Sequence, residues 1–373
     1  MQLFKQETIA GLMCFRLVFG MGLAGSMVMA SSGLAQPADS TSIAAKAKPP
    51  VNTVLATVQV GGSPTAMVVS PDNTTVYVAT NLGDQSINVL DATNNYASKG
   101  TIVVNGFANH LAISPDGNTL YAAGSYFSSG FQGNVSIINT TTYQVVTTLP
   151  INGFANGLAI TPDGKTLCVP YTNYSYELPG GVEMFDTSTN VGTTIQTGGG
   201  PFEFVITEQG KQADLLNEGG YLQFINPVTG TLSDSIAGGG QIYNPLGMTT
   251  DLSGSTLYIA NQGNYVTVSN AKDGKVIKQL LVSPNIAYEI FLGHPAVTLD
   301  GQYLYVPYTY NHTLNQYINQ VAMFDVSTGK IVGSPIAAGS YPVWAQMAPN
   351  GDRLYVANEQ GSTVTVIDTT PTP

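Results

Sequence analysis

The side chains that could do chemistry share one position relative to a turn motif that recurs along the chain. His110, Glu203, His294 and Trp344 each lie four residues before the first residue of such a motif. Two of the three histidines and the only tryptophan therefore occupy one register. Imidazoles with a carboxylate could hold a divalent transition metal that keeps an open position. They could equally act as a general acid and base on a substrate, or simply belong to a solvated wall.

Three aromatic segments, which we expect to be long loops between the second and third strands of their repeats, are a second candidate site. They are residues 126–132, 171–177 and 308–317, and each follows a short β-rich stretch. Tyrosine presents a flat apolar face and a hydrogen-bonding tip at low entropic cost, which suits an uncharged polar ligand such as a glycan or a peptide. Packing of one loop on another would explain the same rings. The candidate ligand-binding residues are Tyr126, Phe131, Tyr171, Tyr174, Tyr176, Tyr308, Tyr310, Tyr317 and Trp344.

A turn motif typified by Ser114-Pro115-Asp116-Gly117 sets the position of these residues. Proline presets the backbone of the second position, aspartate bonds to the main chain, and glycine accepts a positive φ. Each copy therefore predicts a tight hairpin. Seven copies, 44 to 50 residues apart, begin at Ser70, Ser114, Thr161, Thr207, Asp251, Thr298 and Ala348.

Short β-rich segments around each turn complete a repeating unit of four antiparallel strands, the composition of a propeller blade. The last unit stops at Asp368 after three strands, while residues 53–61 have the pattern of an outer strand without a unit of its own. Pairing the two would leave no open sheet edge. We therefore predict an all-β, seven-bladed β-propeller over residues 53–370, closed by its N-terminal strand, with residues 371–373 as a tail.

In such a ring the first strand of each blade lines the central channel. The four-residue register then places one residue of every blade at the channel mouth, with His110 and His294 nearly opposite each other and Glu203 midway between them. The other occupants of this register are Ala66, Gly157, Gly247 and Trp344.

The strand Leu354-Tyr355-Val356-Ala357-Asn358 and the Pro-Asp-Gly turns resemble the YVTN-repeat propeller family over essentially the whole predicted ring. Relatives that this resemblance implies include lactonases and the β-chain of a quinohemoprotein amine dehydrogenase. A lactonase for anionic substrates would use arginines in its channel, but Arg353, the only arginine after Arg16, is expected to lie in a turn. No Cys-x-x-Cys-His site for covalent haem is present.

These observations favour a binding or protein-interaction module over an enzyme. The ligand we expect is a glycan, a peptide or a protein partner. The alternative is a lactonase-like hydrolase, or a metal-binding propeller, that uses His110, Glu203 and His294.

Residues 1–35 have the pattern of a secretory signal peptide, which predicts a periplasmic or secreted protein. The apolar run Leu17 to Ala30 is too short to span a bilayer, and small Gly33 and Ala35 precede the expected cleavage site. Residues 36–52 predict a flexible linker. We expect no transmembrane segment in the mature chain.

Charge and cysteine content limit the partners further. A formal net charge of −11 disfavours binding to nucleic acid. Cys168, the one thiol beyond the signal segment, lies in a β-rich stretch and is expected to be buried and inert. We expect a monomer that is stabilised by packing alone.

Overall fold

The computed structural model describes residues 48–81, 85–126, 132–173, 180–233, 236–237, 240–283, 290–313 and 316–372. The predicted signal peptide and most of the predicted linker lie outside these ranges. Seven antiparallel sheets follow one another along the chain, which confirms the prediction of an all-β, seven-bladed propeller. No helix of the described part is long and apolar enough to cross a membrane.

Each sheet is one blade, and its strands run from the channel outward. The first strand of the described residues is β1 (Thr53–Gln59). Blade 1 holds β2 (Ser63–Val69), β3 (Thr75–Asn81), β4 (Ser86–Asp91) and β5 (Ala97–Val103). Blade 2 holds β6 (Phe107–Ile113), β7 (Thr119–Tyr126), β8 (Gln132–Asn139) and β9 (Gln144–Ile151). Blade 3 holds β10 (Phe154–Ala155) and β11 (Ala159–Ile160) as its inner strand, then β12 (Thr166–Thr172), β13 (Gly181–Asp186) and β14 (Gly192–Gln196).

The remaining blades keep this order. Blade 4 holds β15 (Pro201–Thr207), a 3-10 turn (Glu208–Gly210), β16 (Gln212–Asn217), β17 (Tyr221–Ile225) and β18 (Ile236–Ala237). Blade 5 holds β19 (Pro245–Thr250), β20 (Thr256–Asn261), β21 (Tyr265–Asn270) and β22 (Val276–Leu281). Blade 6 holds β23 (Ile290–Leu292), β24 (Ala296–Val297), β25 (Tyr303–Thr313), β26 (Gln316–Asp325), β27 (Lys330–Ile331) and β28 (Ile336–Ala337). Blade 7 holds β29 (Pro342–Met347), β30 (Arg353–Asn358) and β31 (Thr363–Asp368).

The core lies between neighbouring blades. Every residue of β3 is buried, because another blade covers each face of its sheet, whereas the outer strand β5 is mostly exposed. Cys168 belongs to this core and is fully buried, and burial raises the pKa of its thiol to about 12. The expectation of an inert thiol agrees with this environment.

The ring closes where β1 pairs with β31, from Thr53 opposite Asp368 to Gln59 opposite Thr363. Pairing continues beyond the predicted bounds of the propeller, since Pro50 forms a bridge with Pro371. The end of the predicted linker and the start of the predicted tail are therefore part of the folded ring. Their backbone groups satisfy each other.

The two long strands of blade 6 correct the expectation of a loop at residues 308–317. Strand β25 continues to Thr313 and strand β26 begins at Gln316, and the two pair with Tyr308 opposite Gln320 and Tyr310 opposite Ile318. The hydroxyl of Tyr308 donates to Oε1 of Gln320 at 2.7 Å. Tyrosine and threonine favour extended backbone, so a segment rich in them continues the strands.

Two ends of the ring can now be distinguished. The turn face carries the hairpins between the first and second strands, such as Ser114 to Gly117. The loop face carries the connections between second and third strands and those from one blade to the next. The inner strand of each blade starts at the loop face and ends at the turn face.

Candidate functional site

The seven residues of the predicted register form one layer inside the channel. At five of them the inner strand has an irregularity in pairing, as between Ala108 and His110 or between Pro342 and Trp344. In blade 6, His294 falls in the break between β23 and β24 and pairs instead with blade 7. The backbone N–H of His294 donates to the carbonyl of Val343 at 2.8 Å. The layer lies in the middle of the inner strands, deeper than the predicted channel mouth.

Aromatic packing joins three of these residues. The imidazole of His294 stacks on the indole of Trp344, with ring centroids 3.9 Å apart and planes 11° apart. His110 meets the same indole edge to face, with centroids 5.9 Å apart. Trp344 also packs against the apolar cores on both sides of blade 1, whose own channel residue is Ala66. Large side chains thus extend over the neighbouring blade that supplies a small one.

A glycine leaves the space for the second imidazole. A Cβ on Gly247 would lie 2.9 Å from the Cα of His294 and 3.1 Å from its Cβ, so a larger residue would force His294 to shift. Nε2 of His294 and Oε2 of Glu203 come within 3.9 Å across blade 5. Their side chains are only 13% and 7% exposed. Four residues from four blades, with Glu203 buried and His110, His294 and Trp344 half-buried, thus pack at this level of the channel.

Burial controls the charge of the two imidazoles. It lowers the pKa of His294 to about 4, and the backbone carbonyls beside the ring raise that value only in part. It lowers the pKa of His110 to about 3, with a smaller contribution from the charge of His294. Both rings are therefore neutral at pH 7. A general base works best with a pKa near the operating pH, so both histidines are weak bases for that task.

The chemical roles predicted for this layer differ in their support. Within the described ranges, no three side chains of His, Cys, Asp or Glu come together as a group that could hold a metal ion. His110, Glu203 and His294 share the layer with the indole of Trp344, which contacts both imidazoles. Their catalytic role stays a prediction. Nδ1 of His294 and Nε1 of Trp344 are buried without a hydrogen-bond partner.

The predicted ligand-binding tyrosines divide into three groups. Tyr171 and Tyr308 are buried to 1% and 3% exposure and belong to the core, so a ligand on the surface cannot reach their rings. Tyr310 is half-buried and Tyr317 is 55% exposed at the loop face. Tyr126 ends β7, and its side chain is not described. Phe131, Tyr174 and Tyr176 lie outside the described residues.

A second set of aromatic residues was missed in the sequence. Phe107, Phe154, Phe291 and Tyr341 each lie three residues before a residue of the channel layer, at the loop face, and all are half-buried. Phe291 and Tyr341 contact each other with centroids 5.9 Å apart. The repeated Asn-Gly-Phe-Ala-Asn at residues 105–109 and 152–156 is the sequence signal that could have revealed this second set of aromatic residues.

Comparison with known proteins supports the fold. No protein-family model matches the chain, and no curated protein matches it. Among solved structures, the β-propeller domain of Cps50 (Swd1) from Myceliophteria thermophila matches with a TM-score of 0.68 and 12% sequence identity. The match covers 86% of this chain and all of that one. An identity this low shows the propeller fold alone, and the likeness to YVTN repeats stays a resemblance.

Proposed function

We propose that this protein is an exported binding module whose loop face receives a polar ligand, either a glycan or a peptide, or a protein partner. The long hairpin of blade 6 carries the proposal. It supplies the exposed ring of Tyr317 and the half-buried ring of Tyr310, beside Phe291 and Tyr341 of the loop face. Rings of this kind give contact area at a small entropic cost. Export is supported by the signal-peptide pattern of residues 1–35.

Packing of the channel layer favours binding at the face over chemistry in the channel. Four side chains occupy the layer where a substrate would have to meet His110, Glu203 and His294. The approach of His294 to Glu203 is the one observation that favours a hydrolase, and the low pKa of His294 reduces its strength as a base. A ligand can reach the exposed rings of the loop face without entering the channel.

The test is binding of the chain to arrays of glycans and peptides. We expect the double variant Tyr310→Ala, Tyr317→Ala to lose at least about tenfold in affinity for any ligand that the wild type retains, because truncated aromatic anchors typically cost 1–2 kcal/mol or more. Tyr143→Ala is the matched control, since Tyr143 is a half-buried tyrosine in a turn of the opposite face. Equal affinity of the double variant and the control would refute the assignment of this face.

A further inference from the structure

The junction of blades 6 and 7 on the loop face brings together aromatic rings and one carboxylate. The ring of Tyr341 contacts Phe291. Burial raises the pKa of the Tyr341 phenol, and the charges of Glu359 and Tyr317 raise it further. The backbone N–H of Glu359 donates to the carbonyl of Tyr341 at 2.8 Å. These four residues define what we call the junction cluster.

The backbone holds Tyr341 in place by contacts to both blades. Its φ of +59° lies in the left-handed region, which a tyrosine rarely adopts. Its N–H donates to Oδ1 of Asn319 in blade 6 at 3.0 Å, and that same oxygen accepts from the hydroxyl of Thr309 at 2.9 Å. Unusual backbone that the surroundings fix in this way is a frequent property of binding sites.

Glu359 has no cationic partner within the described part of the chain. The ion pairs of that part involve other carboxylates, and no hydrogen bond to its side chain is formed there. Glu359 is half-buried, and this burial raises the pKa of its carboxyl group because it removes part of the hydration of the charge. A half-buried carboxylate beside aromatic rings is stabilised when a cation binds next to it.

The distribution of charge along the chain agrees with a cationic ligand. The described connections of the loop face contain no lysine or arginine, and they carry two acidic residues, Glu218 and Glu359. The basic residues that follow the linker are in the turns of the opposite face or in strands, as Lys165 and Arg353 are. One end of an acidic ring therefore attracts cations.

From this juxtaposition we infer that the junction cluster binds an ammonium group, with the aromatic rings around the cation and Glu359 as its counter-charge. The inference rests on the proposed binding role of the loop face and names the chemistry recognised there. The ammonium group could come from a lysine side chain of a peptide or from a small quaternary amine. Both present the same charge to the rings.

Calorimetric titration of the full chain at low ionic strength tests this inference. The probes are choline and its neutral isostere 3,3-dimethylbutan-1-ol, together with the acetylated amides of lysine and norleucine. We expect at least one cationic probe to bind about tenfold or more tightly than its neutral counterpart. Binding of choline alone would identify a quaternary amine, and binding of the lysine amide would identify a peptide. Equal affinities within both pairs would overturn the inference.

Two variants locate the site. Glu359→Gln keeps the shape of the side chain and removes its charge. We expect this variant to bind the cationic probe about tenfold more weakly than wild type does. Tyr317→Leu removes an exposed ring with little effect on folding, and it should lower the affinity for the cationic probe several-fold. Glu218→Gln is the control, since Glu218 is an exposed acid of the same face. If Glu218→Gln lost as much affinity for the cationic probe as Glu359→Gln, the whole acidic face would attract the cation, and the assignment of the site to the junction cluster would be wrong.

The failure of this inference can be distinguished from failure of the binding role. If the arrays give ligands that depend on Tyr310 and Tyr317 while no cationic probe binds, the loop face binds ligands without an ammonium site. If neither the arrays nor the probes show binding, both proposals are wrong.

Discussion

At the scale of single residues, Asp214 departs most clearly from the repeat. It occupies the position in the second strand of blade 4 that five other blades give to tyrosine, such as Tyr77 opposite Val68 and Tyr258 opposite Thr249. Oδ1 of Asp214 accepts from Nε2 of Gln212 at 2.6 Å, and Oδ2 is buried without a partner. Burial raises the pKa of this carboxyl group to about 7, and the charge of Glu208 adds a smaller rise.

We predict that Asp214 makes the protein less stable as the pH rises from about 4 to about 7. The unfolded chain loses this proton near its ordinary pKa of 3.8, whereas the folded chain keeps it until about 7. The contribution of Asp214 to stability is therefore fully present below pH 4, and it is lost as the pH rises through this window. Asp214→Asn mimics the protonated form, so its free energy of unfolding relative to wild type should rise by about 4 kcal/mol between pH 4 and pH 8.

Chemical denaturation at several pH values measures this difference directly. Asp116→Asn is the control, because Asp116 is an exposed turn residue whose pKa is lowered, chiefly by the hydroxyl of Ser114. The stabilisation from Asp116 is lost only as the pH falls, so this variant should run parallel to wild type between pH 5 and pH 8. Parallel curves for Asp214→Asn as well would show that Asp214 ionises freely in the fold.

At the scale of elements, the inner strands position the channel layer, and glycine allows their side chains to interlock. We predict that Gly247→Ala destabilises the protein by about 2 kcal/mol, since a Cβ there would lie 2.9 Å from the backbone of His294. Trp344, the only tryptophan, stacks on that histidine. Its fluorescence should therefore change in the folded variant.

Denaturation in guanidinium followed by tryptophan fluorescence checks both parts of this prediction. Gly200→Ala is the matched control, because a Cβ there would meet only the side chain of Glu218, at 3.1 Å. We expect the control to lose less than about 1 kcal/mol and to keep the wild-type emission. If Gly247→Ala behaved like the control, the interlocked layer would be less tightly packed than its distances indicate.

The inner strands also show what a sequence can and cannot reveal. The turn motifs fix the end of each inner strand, so counting back four residues predicted that His110, Glu203, His294 and Trp344 share one register, but it placed that register at the channel mouth. The chemistry assigned to these residues stays a prediction. The depth of that layer depends on which neighbour is small, as Gly247 is for His294, and on packing between distant blades. The tyrosines of the blade 6 hairpin fit both a strand and a binding loop, so their pattern alone predicts a loop where the structure has strands.

At the scale of the whole molecule, one strand closes the ring. Strand β1 covers the edge of β31, and its Ala56 and Val58 pack against the core between blades 7 and 1. Without it, β31 would expose a row of unpaired backbone groups, which is a template for association with other chains. The closure therefore stabilises the ring and also keeps its edge from pairing with other molecules.

We predict that a chain beginning at Gly61 is less stable and associates, whereas a chain beginning at Lys48 behaves as the full ring does. Loss of the ladder from Thr53 to Gln59 should cost about 3 kcal/mol or more, because each net hydrogen bond contributes about 0.5–1.5 kcal/mol. Thermal denaturation and size-exclusion chromatography at two concentrations measure the two effects. Equal melting temperatures with concentration-independent elution would mean that six blades and three strands are sufficient, and that β1 only covers an edge which is already protected.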